Sequence, residues 1–203
     1  RRRFLDIGSN IGTYSYYFAK LMKNVEAFEP FTESTRYLKN LNSKNIKIHN
    51  IALSNKSNIQ EFFIPIIDNY PISALASLQP INRNNEFQKR LVQVHTLDEY
   101  NFLDVDLIKI DVEGHEVDII NGALNTLKIN KPILLVEIEQ RHILKPINEI
   151  FNTISLLKYK GFFLQKGVPK PISDFSYDKN QKPYLNNVIS SNYINNFIFL
   201  PIN

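Results

Sequence analysis

The sequence has 203 residues, of which 43% are hydrophobic and 22% charged, a composition typical of a globular domain with a sizeable core. It contains no cysteine, which excludes disulfides, cysteine–zinc sites and a thiol nucleophile. The net charge of +4 is not gathered into a basic stripe, and no run of roughly 18 apolar residues predicts a membrane span. We therefore expect one domain over residues 1–203, a cytoplasmic location and no nucleic-acid partner.

A short apolar strand is predicted at residues 4–7, followed by a glycine turn and a helix near 13–22. The turn has the spacing D-x-G-x-N-x-G, formed by Asp6, Gly8, Asn10 and Gly12. Glycines let the backbone approach a ligand, and N–H groups at the helix start point at it. A dinucleotide fingerprint has glycine where Asp6 stands, and an acid suits a cation better than a pyrophosphate. S-adenosylmethionine, which carries a sulfonium and an ammonium but no phosphate, fits this pattern.

The second predicted strand covers residues 24–28 and stops at Glu29, about 20 residues after Gly8. An acid at this point of a nucleoside site accepts hydrogen bonds from both ribose hydroxyls. Pro30 ends the strand because proline has no N–H group to donate. The alternative is a solvated turn acid, and the position of Glu29 at a strand end just before Phe31 favours the ribose interpretation.

Strands and helices alternate through most of the sequence, which is the pattern of a mainly parallel sheet. After the second strand we predict a helix at 32–42, strands at 46–50 and 58–64, and a long loop at 65–90 that contains Arg83. Strands follow at 91–95 and 106–111, then a helix to about 127, a strand at 132–139 and a helix at 146–160 ended by Gly161. The last two strands, at 162–165 and 196–200, are predicted to be antiparallel and are separated by a loop at 166–195. Loops of such length are uncommon and often functional. Because the first strand lies at the start, we expect upstream segments that cover such a site to be missing from this sequence.

The strand at 106–111 carries Lys109 and Asp111 on one face, since side chains alternate along a strand. A lysine in a central strand needs a partner, because burying an unpaired charge is costly. We therefore expect Lys109 to form a structural ion pair with Asp6 or Glu137.

Residues 4–12, 26–30, 96–98 and 106–116 together resemble the FkbM family of S-adenosylmethionine-dependent methyltransferases, and LIKIDVEGHE at 107–116 is the most specific match. The resemblance runs from residue 4 to about residue 200. It implies an α/β fold, the class I methyltransferase Rossmann-like three-layer sandwich, with a seven-stranded, mostly parallel sheet whose last strand is antiparallel. It also implies methyl transfer to a hydroxyl of a sugar, glycan or other small molecule, with S-adenosyl-L-methionine as the cofactor.

The resemblance further implies which residues bind the cofactor. The loop around its methionine part would be formed by Asp6, Gly8, Asn10 and Gly12. Glu29 would bind the ribose, and Phe31 would stack near the adenine. Asn50 and Ala52 would line the adenine pocket. Asp111 and Val112 would lie beside the sulfonium and the acceptor.

A base near the acceptor would assist methyl transfer to an alcohol. The candidates are Asp111, Glu113, His115, Glu137, Glu139 and His142. We predict His115, Asp111 and Glu113 as catalytic residues, and a histidine has the pKa best suited to a base near neutral pH. Three other interpretations stay open: His115 as a helix-start residue without chemistry, Asp111 as a ligand of the cofactor ammonium, and Glu113 as a partner of the helix dipole.

We predict no metal site, because the acids and histidine that offer one match no defined metal spacing: Asp111, Glu113, Glu139 and His142. His49 and His95 lie in predicted strands and are expected to be structural. Two rival functions stay open, a nucleic-acid ribose 2′-O-methyltransferase and a non-catalytic cofactor-binding module. A base N-methyltransferase is disfavoured, because Asp111 and Val112 stand where it needs an Asn/Asp-Pro-Pro loop, and Asp6 disfavours a nicotinamide dehydrogenase. The sequence indicates no oligomeric state.

Overall fold

The structure is a computed structural model that describes residues 2–40, 43–80 and 86–202. Its strands are β1 (Arg3–Ile7), β2 (Asn24–Phe28), β3 (Ile46–His49), β4 (Ala52–Leu53), β5 (Asn58–Ile67), β6 (Tyr70–Pro71), β7 (Glu86–His95), β8 (Val105–Ile110), β9 (Ile133–Glu137), β10 (Tyr159–Gln165), β11 (Val168–Pro171) and β12 (Asn196–Pro201). Its helices are α1 (Thr13–Ala19), α2 (Thr32–Asn40), α3 (Glu116–Asn121), α4 (Leu124–Asn130), α5 (Ile147–Leu156) and α6 (Tyr177–Asn180). None of the helices in the described ranges has the length and apolar character that a membrane crossing requires.

The main sheet contains eight strands within the described residues, in the order β11-β10-β12-β9-β8-β1-β2-β3. Strands β3, β2, β1, β8 and β9 pair in parallel, whereas β12 runs antiparallel to both β9 and β10. This arrangement confirms the predicted class I Rossmann-like fold. The difference from the predicted seven strands is β11, which forms a hairpin with β10 at the sheet edge.

Apolar side chains cover both faces of the main sheet, because neighbouring residues of a strand point to opposite faces. On one face Phe4 packs on Phe18 of α1, with ring centroids 4.4 Å apart, and contacts a small cluster that includes Val25. On the other face Leu5 and Ile7 belong to a larger core that includes side chains of α3 and α5. The sheet therefore lies between two layers, as the three-layer prediction requires.

A second sheet of four strands has the order β4-β7-β5-β6, and the long antiparallel pair β5–β7 forms most of it. The loop predicted at 65–90 is wrong in extent, because β5 continues to Ile67 and β7 already begins at Glu86. Arg83, which that loop contains, lies outside the described residues. The cause of the error is that β5 and β7 carry many polar side chains and lack a clear alternation of apolar residues where they meet the predicted loop.

The end of α5 corrects another prediction. The helix ends at Leu156, and Lys158 takes a left-handed backbone with a φ of 68° just after it. Gly161, predicted to end the helix, instead lies inside β10. A Cβ at Gly161 would lie 2.8 Å from the side chain of Ile172 and 2.9 Å from that of Phe199, so close packing requires glycine here.

Two further segments differ from the sequence prediction. The helix predicted from about 116 to 127 is divided into α3 and α4 at Gly122, where a Cβ would stand 2.0 Å from the carbonyl oxygen of Ser54. The segment 166–195, predicted as a loop, contains β11, α6 and short 3-10 helices. These elements are short, and elements of this length leave almost no periodic signal in a sequence.

The parallel strands of the main sheet end at a common edge, and the chain order reverses between β1 and β8. Ligands of open α/β sheets bind at this switch point, outside the carboxyl ends of the strands. The segments that follow the strands therefore meet there, namely residues 8–12, 29–31, 50–52, 111–115 and 138–139.

Candidate functional site

A cavity of about 240 Å³ lies at the carboxyl edge of the main sheet. Among the predicted cofactor-binding residues, the cavity is lined by Gly8, Asn10, Glu29, Ala52, Asp111 and Val112. All three predicted catalytic residues line it as well: Asp111, Glu113 and His115. Residues widely separated in the sequence thus share one concave site, which is the usual form of a small-molecule site.

The glycine loop folds tightly against the ends of two strands. Gly8 has a φ of 76°, and a Cβ there would stand only 1.8 Å from the carbonyl oxygen of Asp111. The N–H groups of Gly8 and Ser9 donate to the Phe28 carbonyl at 3.0 and 3.1 Å. Gly12, with a φ of 91°, precedes the first residue of α1. The loop therefore needs glycine for its conformation and, at Gly8, also for the close approach to β8.

Glu29 connects the end of β2 to the glycine loop. Its Oε2 accepts a hydrogen bond from the Asn10 N–H at 2.9 Å, and its Oε1 accepts one from the Phe31 N–H at 2.8 Å. Burial raises the pKa of Glu29 to about 7, against the effect of these two backbone donors. Because a carboxylate offers about four lone-pair positions, each oxygen keeps one for a ligand. The ribose role of Glu29 stays a prediction.

Asp6 lies beneath the loop and is 1% exposed. Its Oδ2 accepts a hydrogen bond from the Ser15 hydroxyl at 2.7 Å, whereas Oδ1 is buried and has no hydrogen-bond partner among the described residues. Burial raises the pKa of Asp6, although Ser15 and Lys109 act in the opposite direction. Such an unsatisfied buried oxygen is costly in a folded protein, and it marks a place for an additional donor or positive charge.

Lys109 is 3% exposed and forms its ion pair with Asp111, at 2.5 Å between Nζ and Oδ2. An ion pair of Lys109 was predicted, but the predicted partner, Asp6 or Glu137, is wrong. Asp6 does lie opposite Lys109 in the β1–β8 register, and Lys109 lowers its pKa without forming an ion pair with it. The pair neutralises one acid of the site and places Asp111 at the edge of the cavity.

His115 lies just before α3 and is buried. Its Nε2 is 2.9 Å from the hydroxyl of Ser54, and its Nδ1 is 3.4 Å from the side-chain nitrogen of Gln79 and 3.5 Å from Asp118. Burial lowers the pKa of His115, against the effect of Asp118. The imidazole is therefore neutral near pH 7, and both of its nitrogens have protein partners.

Glu137 ends β9 and also lines the cavity. Its Oε1 accepts a hydrogen bond from the Asn195 side chain at 2.7 Å. Burial raises the pKa of Glu137 to about 8, and the negative charges of Asp111 and Glu139 add to the effect. Titratable groups with shifted pKa values cluster at functional sites, and Glu137 is one of them.

The side chains considered for a divalent ion are held in separate pairs. Glu113 contacts Nδ1 of His142, and Glu139 accepts hydrogen bonds from Arg141 and Tyr193. Burial raises the pKa of Glu139, but these two donors hold it below its ordinary value. Over the described ranges no group of three or more histidine or acidic residues is arranged to hold a metal. This geometry gives the divalent-ion alternative no support.

Four predicted cofactor residues do not line the cavity, namely Asp6 and Gly12 of the glycine loop, Phe31 and Asn50. Phe31 packs with Phe62 and Ile64 of β5, and the guanidinium of Arg90 lies 4.9 Å from the centre of its ring. Asn50 donates hydrogen bonds to the carbonyls of Glu29 and Pro30, at 2.9 and 3.0 Å, and so fixes the turn after β2. Their adenine roles stay predictions.

The two histidines expected to be structural lie away from the cavity wall. His49 stacks on Phe28, with ring centroids 4.5 Å apart, and its Nε2 is 2.7 Å from Glu26. His95 lies 3.2 Å from Glu99.

Part of the cavity wall comes from residues to which sequence reasoning gave no role: Phe62, Ser73, Ala74, Ala76, Ser77 and Leu78. The Ser77 hydroxyl donates to the Glu113 carbonyl at 2.9 Å, and the Ser73 hydroxyl donates to the Asn10 side chain at 3.4 Å. The segment between β6 and β7 therefore closes over the edge of the main sheet. The signal in the sequence was the length of the predicted loop at 65–90, which marks a functional segment without saying what it contacts.

Acids outnumber bases around the cavity. Glu29, Asp111, Glu113 and Glu137 line it, and the positive charge of Lys109 lowers the pKa of Asp6 and of Glu137. The raised pKa values of Glu29 and Glu137 are consistent with this crowding of buried acids. Such a site attracts a cation and repels an anion.

Solved structures share this fold. The methyltransferase FkbM from Methylobacillus flagellatus matches with a TM-score of 0.61 and 16% identity, over 97% of this chain and 43% of that chain. A Streptococcus mutans protein, named a methyltransferase and solved in complex with SAH, matches with a TM-score of 0.51 and 11% identity, over 98% of this chain and 89% of that one. Identities this low show the fold alone, and the chain spans less than half of the Methylobacillus protein. No curated protein matches this sequence.

The family comparison is more specific. A model of the methyltransferase FkbM domain matches residues 6–164. The match begins at Asp6 and includes the glycine loop, Glu29 and the stretch 107–116, which are the residues that carried the resemblance. The chain therefore belongs to the FkbM family of S-adenosylmethionine-dependent methyltransferases.

Proposed function

We propose that this chain binds S-adenosylmethionine at the carboxyl edge of the main sheet and transfers its methyl group to a hydroxyl of a sugar, glycan or other small molecule. The observation that carries the proposal is that the glycine loop, Glu29 and Asp111 line one cavity. The surplus of acids around that cavity matches a ligand with a sulfonium and an ammonium. A phosphate-bearing acceptor would meet the acid Glu113 in the same wall, which disfavours nucleic acid.

The residues present fit this cofactor. The close approach at Gly8, where a Cβ would meet the carbonyl of Asp111, leaves backbone in place of side chains at the cavity wall. The buried Oδ1 of Asp6, which has no hydrogen-bond partner among the described residues, offers an acceptor below the loop. Gly8, Asn10 and Asp111 are proposed to hold the methionine part, and Glu29 the ribose.

When bound, the cofactor supplies a methyl group on positively charged sulfur. The task of the protein is then to align the acceptor oxygen with that methyl group, because alignment alone lowers the barrier substantially. Asp111 and Val112 are proposed to lie beside the reacting atoms, and His115 and Glu113 to shape the acceptor side. The segment that carries Ser73 and Ser77 supports the exclusion of water, since it covers the edge of the sheet.

A methyl-transfer assay tests the reaction class. Purified protein is incubated with methyl-labelled S-adenosylmethionine and either a panel of neutral methyl glycosides or total ribosomal RNA. We expect label in a glycoside and none in RNA. Label in RNA would instead establish the nucleic-acid alternative, and binding of S-adenosylhomocysteine without transfer to any acceptor would establish the non-catalytic module.

Two variants connect the activity to the site. Glu29→Gln keeps the size of the side chain but removes its charge, and we expect it to weaken donor binding. Glu61→Gln is the matched control, because Glu61 lies on the second sheet with a side chain that is 51% exposed. Equal activity of both variants would contradict the proposed ribose role of Glu29.

A further inference from the structure

Glu137 has a free carboxyl oxygen in the wall of the proposed methyl-transfer site. Its Oε1 is held by Asn195 at 2.7 Å, and its Oε2 has no hydrogen-bond partner among the described residues. Glu137 is the last residue of β9, next to β8, the strand that Asp111 follows. One oxygen is thus anchored and the other is left for a ligand.

We propose that Glu137 is the general base of this site and that its Oε2 takes the proton of the acceptor hydroxyl. The inference rests on the proposed methyl transfer. The acceptor O–H bond breaks and its proton goes to Glu137, while the acceptor oxygen forms a bond to the methyl carbon. The bond between that carbon and sulfur breaks, its electron pair stays on sulfur, and the donor leaves as a neutral thioether.

The other candidate bases are held by neighbouring side chains. The pairs are Asp111 with Lys109, Glu113 with His142, Glu139 with Arg141 and Tyr193, and His115 with Ser54 and Gln79. His115 would have to break one of its contacts before it accepts a proton. Each of the three other acids is paired with a basic side chain, whereas Glu137 is held by the neutral amide of Asn195.

The electrostatic surroundings suit a base near neutral pH. Burial raises the pKa of Glu137 to about 8, the charges of Asp111, Glu139 and Glu113 contribute in the same direction, and Lys109 opposes them. A carboxylate with this pKa holds a proton far more strongly than an ordinary glutamate, which favours proton transfer. A cation that arrives next to it lowers the pKa, so binding of the donor would itself ionise the base.

A second cavity, of about 160 Å³, shares Asn195 with the surroundings of Glu137, although Glu137 itself does not line it. The wall of that cavity is part apolar, from Leu135 and Ile198, and part polar, from Asn195 and Ser191. Leu135 and Glu137 lie on the same face of β9, because side chains two positions apart do so. This mixed lining fits a neutral hydroxyl compound with an apolar face, such as a glycoside.

Calorimetry tests the assignment without knowledge of the acceptor. S-adenosylmethionine and S-adenosylhomocysteine are each titrated into the protein at pH 7, once in phosphate and once in Tris. The two buffers differ in ionisation enthalpy, so the difference between the two measured binding enthalpies gives the number of protons released on binding. Groups that contact the ribose or the ammonium respond to both ligands. The difference in proton release between the two ligands therefore reports the group that faces the sulfonium.

We expect the wild type to release most of one proton with S-adenosylmethionine and distinctly less with S-adenosylhomocysteine. Glu137→Gln should abolish this difference while it keeps the affinity for S-adenosylhomocysteine within about twofold. His115→Gln should keep the difference. A difference that persists in Glu137→Gln or disappears in His115→Gln would overturn the assignment. If neither ligand binds the folded wild type, the proposed function itself fails.

Kinetics on any methylated glycoside supply a second test. We expect Glu137→Gln to lower kcat at least about 100-fold with little change in KM, and Glu137→Asp to recover part of it. Asn195→Ala removes a donor to the ionised form, so the rising limb of the kcat–pH profile should move to higher pH. An unchanged kcat in Glu137→Gln contradicts the role.

Discussion

The backbone of Gly8 lies so close to Asp111 that a Cβ at Gly8 would stand 1.8 Å from the Asp111 carbonyl oxygen. The contact brings the glycine loop after β1 against the end of β8, the two strands between which the sheet order reverses. Both segments that the proposal places around the donor are therefore fixed by one backbone contact.

Gly8→Ala should separate these two segments. Its Cβ adds a collision with backbone to the strain of a φ of 76°, so we expect a loss of more than about 2 kcal/mol in unfolding free energy. Binding of S-adenosylhomocysteine should be lost as well. Urea unfolding and calorimetry measure the two effects.

Gly167→Ala is the matched control for that variant. Gly167 has a φ of 78°, but nothing lies within 4 Å of an added Cβ. We expect only the backbone strain of roughly 1–2 kcal/mol and unchanged binding. Equal losses at both glycines would mean that the contact between Gly8 and Asp111 has no importance.

Lys109→Met should leave the partly buried Asp111 without its partner. The Lys109 side chain is 3% exposed and that of Asp111 is 30% exposed, and breaking a buried ion pair costs about 3 kcal/mol or more. In the exposed pair of Lys89 and Glu61 the side chains are 57% and 51% exposed. Lys89→Met should change stability by at most about 0.5 kcal/mol. Similar urea midpoints for the two variants would show that Lys109 is not part of a stabilising buried pair.

Glu116 should make stability depend on pH. Burial raises its pKa from 4.5 to about 7, so the group favours the folded state below pH 4.5 and this contribution is lost as the pH rises through 7. Glutamine imitates the neutral acid. Relative to wild type, Glu116→Gln should therefore gain stability between pH 4.5 and 7, by up to about 3 kcal/mol. The exposed Glu149→Gln is the control, and a parallel pH dependence of wild type and Glu116→Gln would contradict the shift.

The end of α5 provides a pair of opposite predictions. Gly161→Ala should destabilise by about 1–3 kcal/mol, because its Cβ would collide with Ile172 and Phe199. Lys158→Gly should stabilise by up to about 1 kcal/mol, since Lys158 has a φ of 68° that glycine adopts without strain. Thermal unfolding of both variants shows whether each change raises or lowers stability. A stabilising effect of Gly161→Ala would contradict the close packing described at that position.

Gly161 also shows why part of the fold escaped prediction. A glycine after an apolar helical pattern is a typical helix end, and only the packing of β10 on β12 reveals its other function. The parallel strands β1, β2 and β8 were predictable, because each is a short, mostly apolar segment followed by an acid or glycine. The split at Gly122 depends on a contact with Ser54, which is distant in the sequence and leaves no local pattern. Strand β11 has only four residues, two of them proline, so it gives almost no strand signal.

The candidate site was predictable to a similar degree. Three acids lie at or near the ends of predicted strands: Asp6, Glu29 and Asp111. The carboxyl ends of parallel strands meet at one edge of a sheet, and this does not depend on the conformation of the loops. The partner of Lys109 was not predictable, because Asp6, Asp111 and Glu137 all lie near it and the sequence pattern does not say which of them it reaches. The wall built by residues 73–78 depends on how the second sheet folds over the first.

Calorimetric titration of the folded chain with S-adenosylhomocysteine, beside the variants Asp6→Ala and Glu29→Ala, tests the central claim most directly. We predict micromolar binding by the wild type and none by either variant, with both variants shown to be folded by circular dichroism. Binding that survives in both variants, or no binding by the folded wild type, would contradict the proposed site.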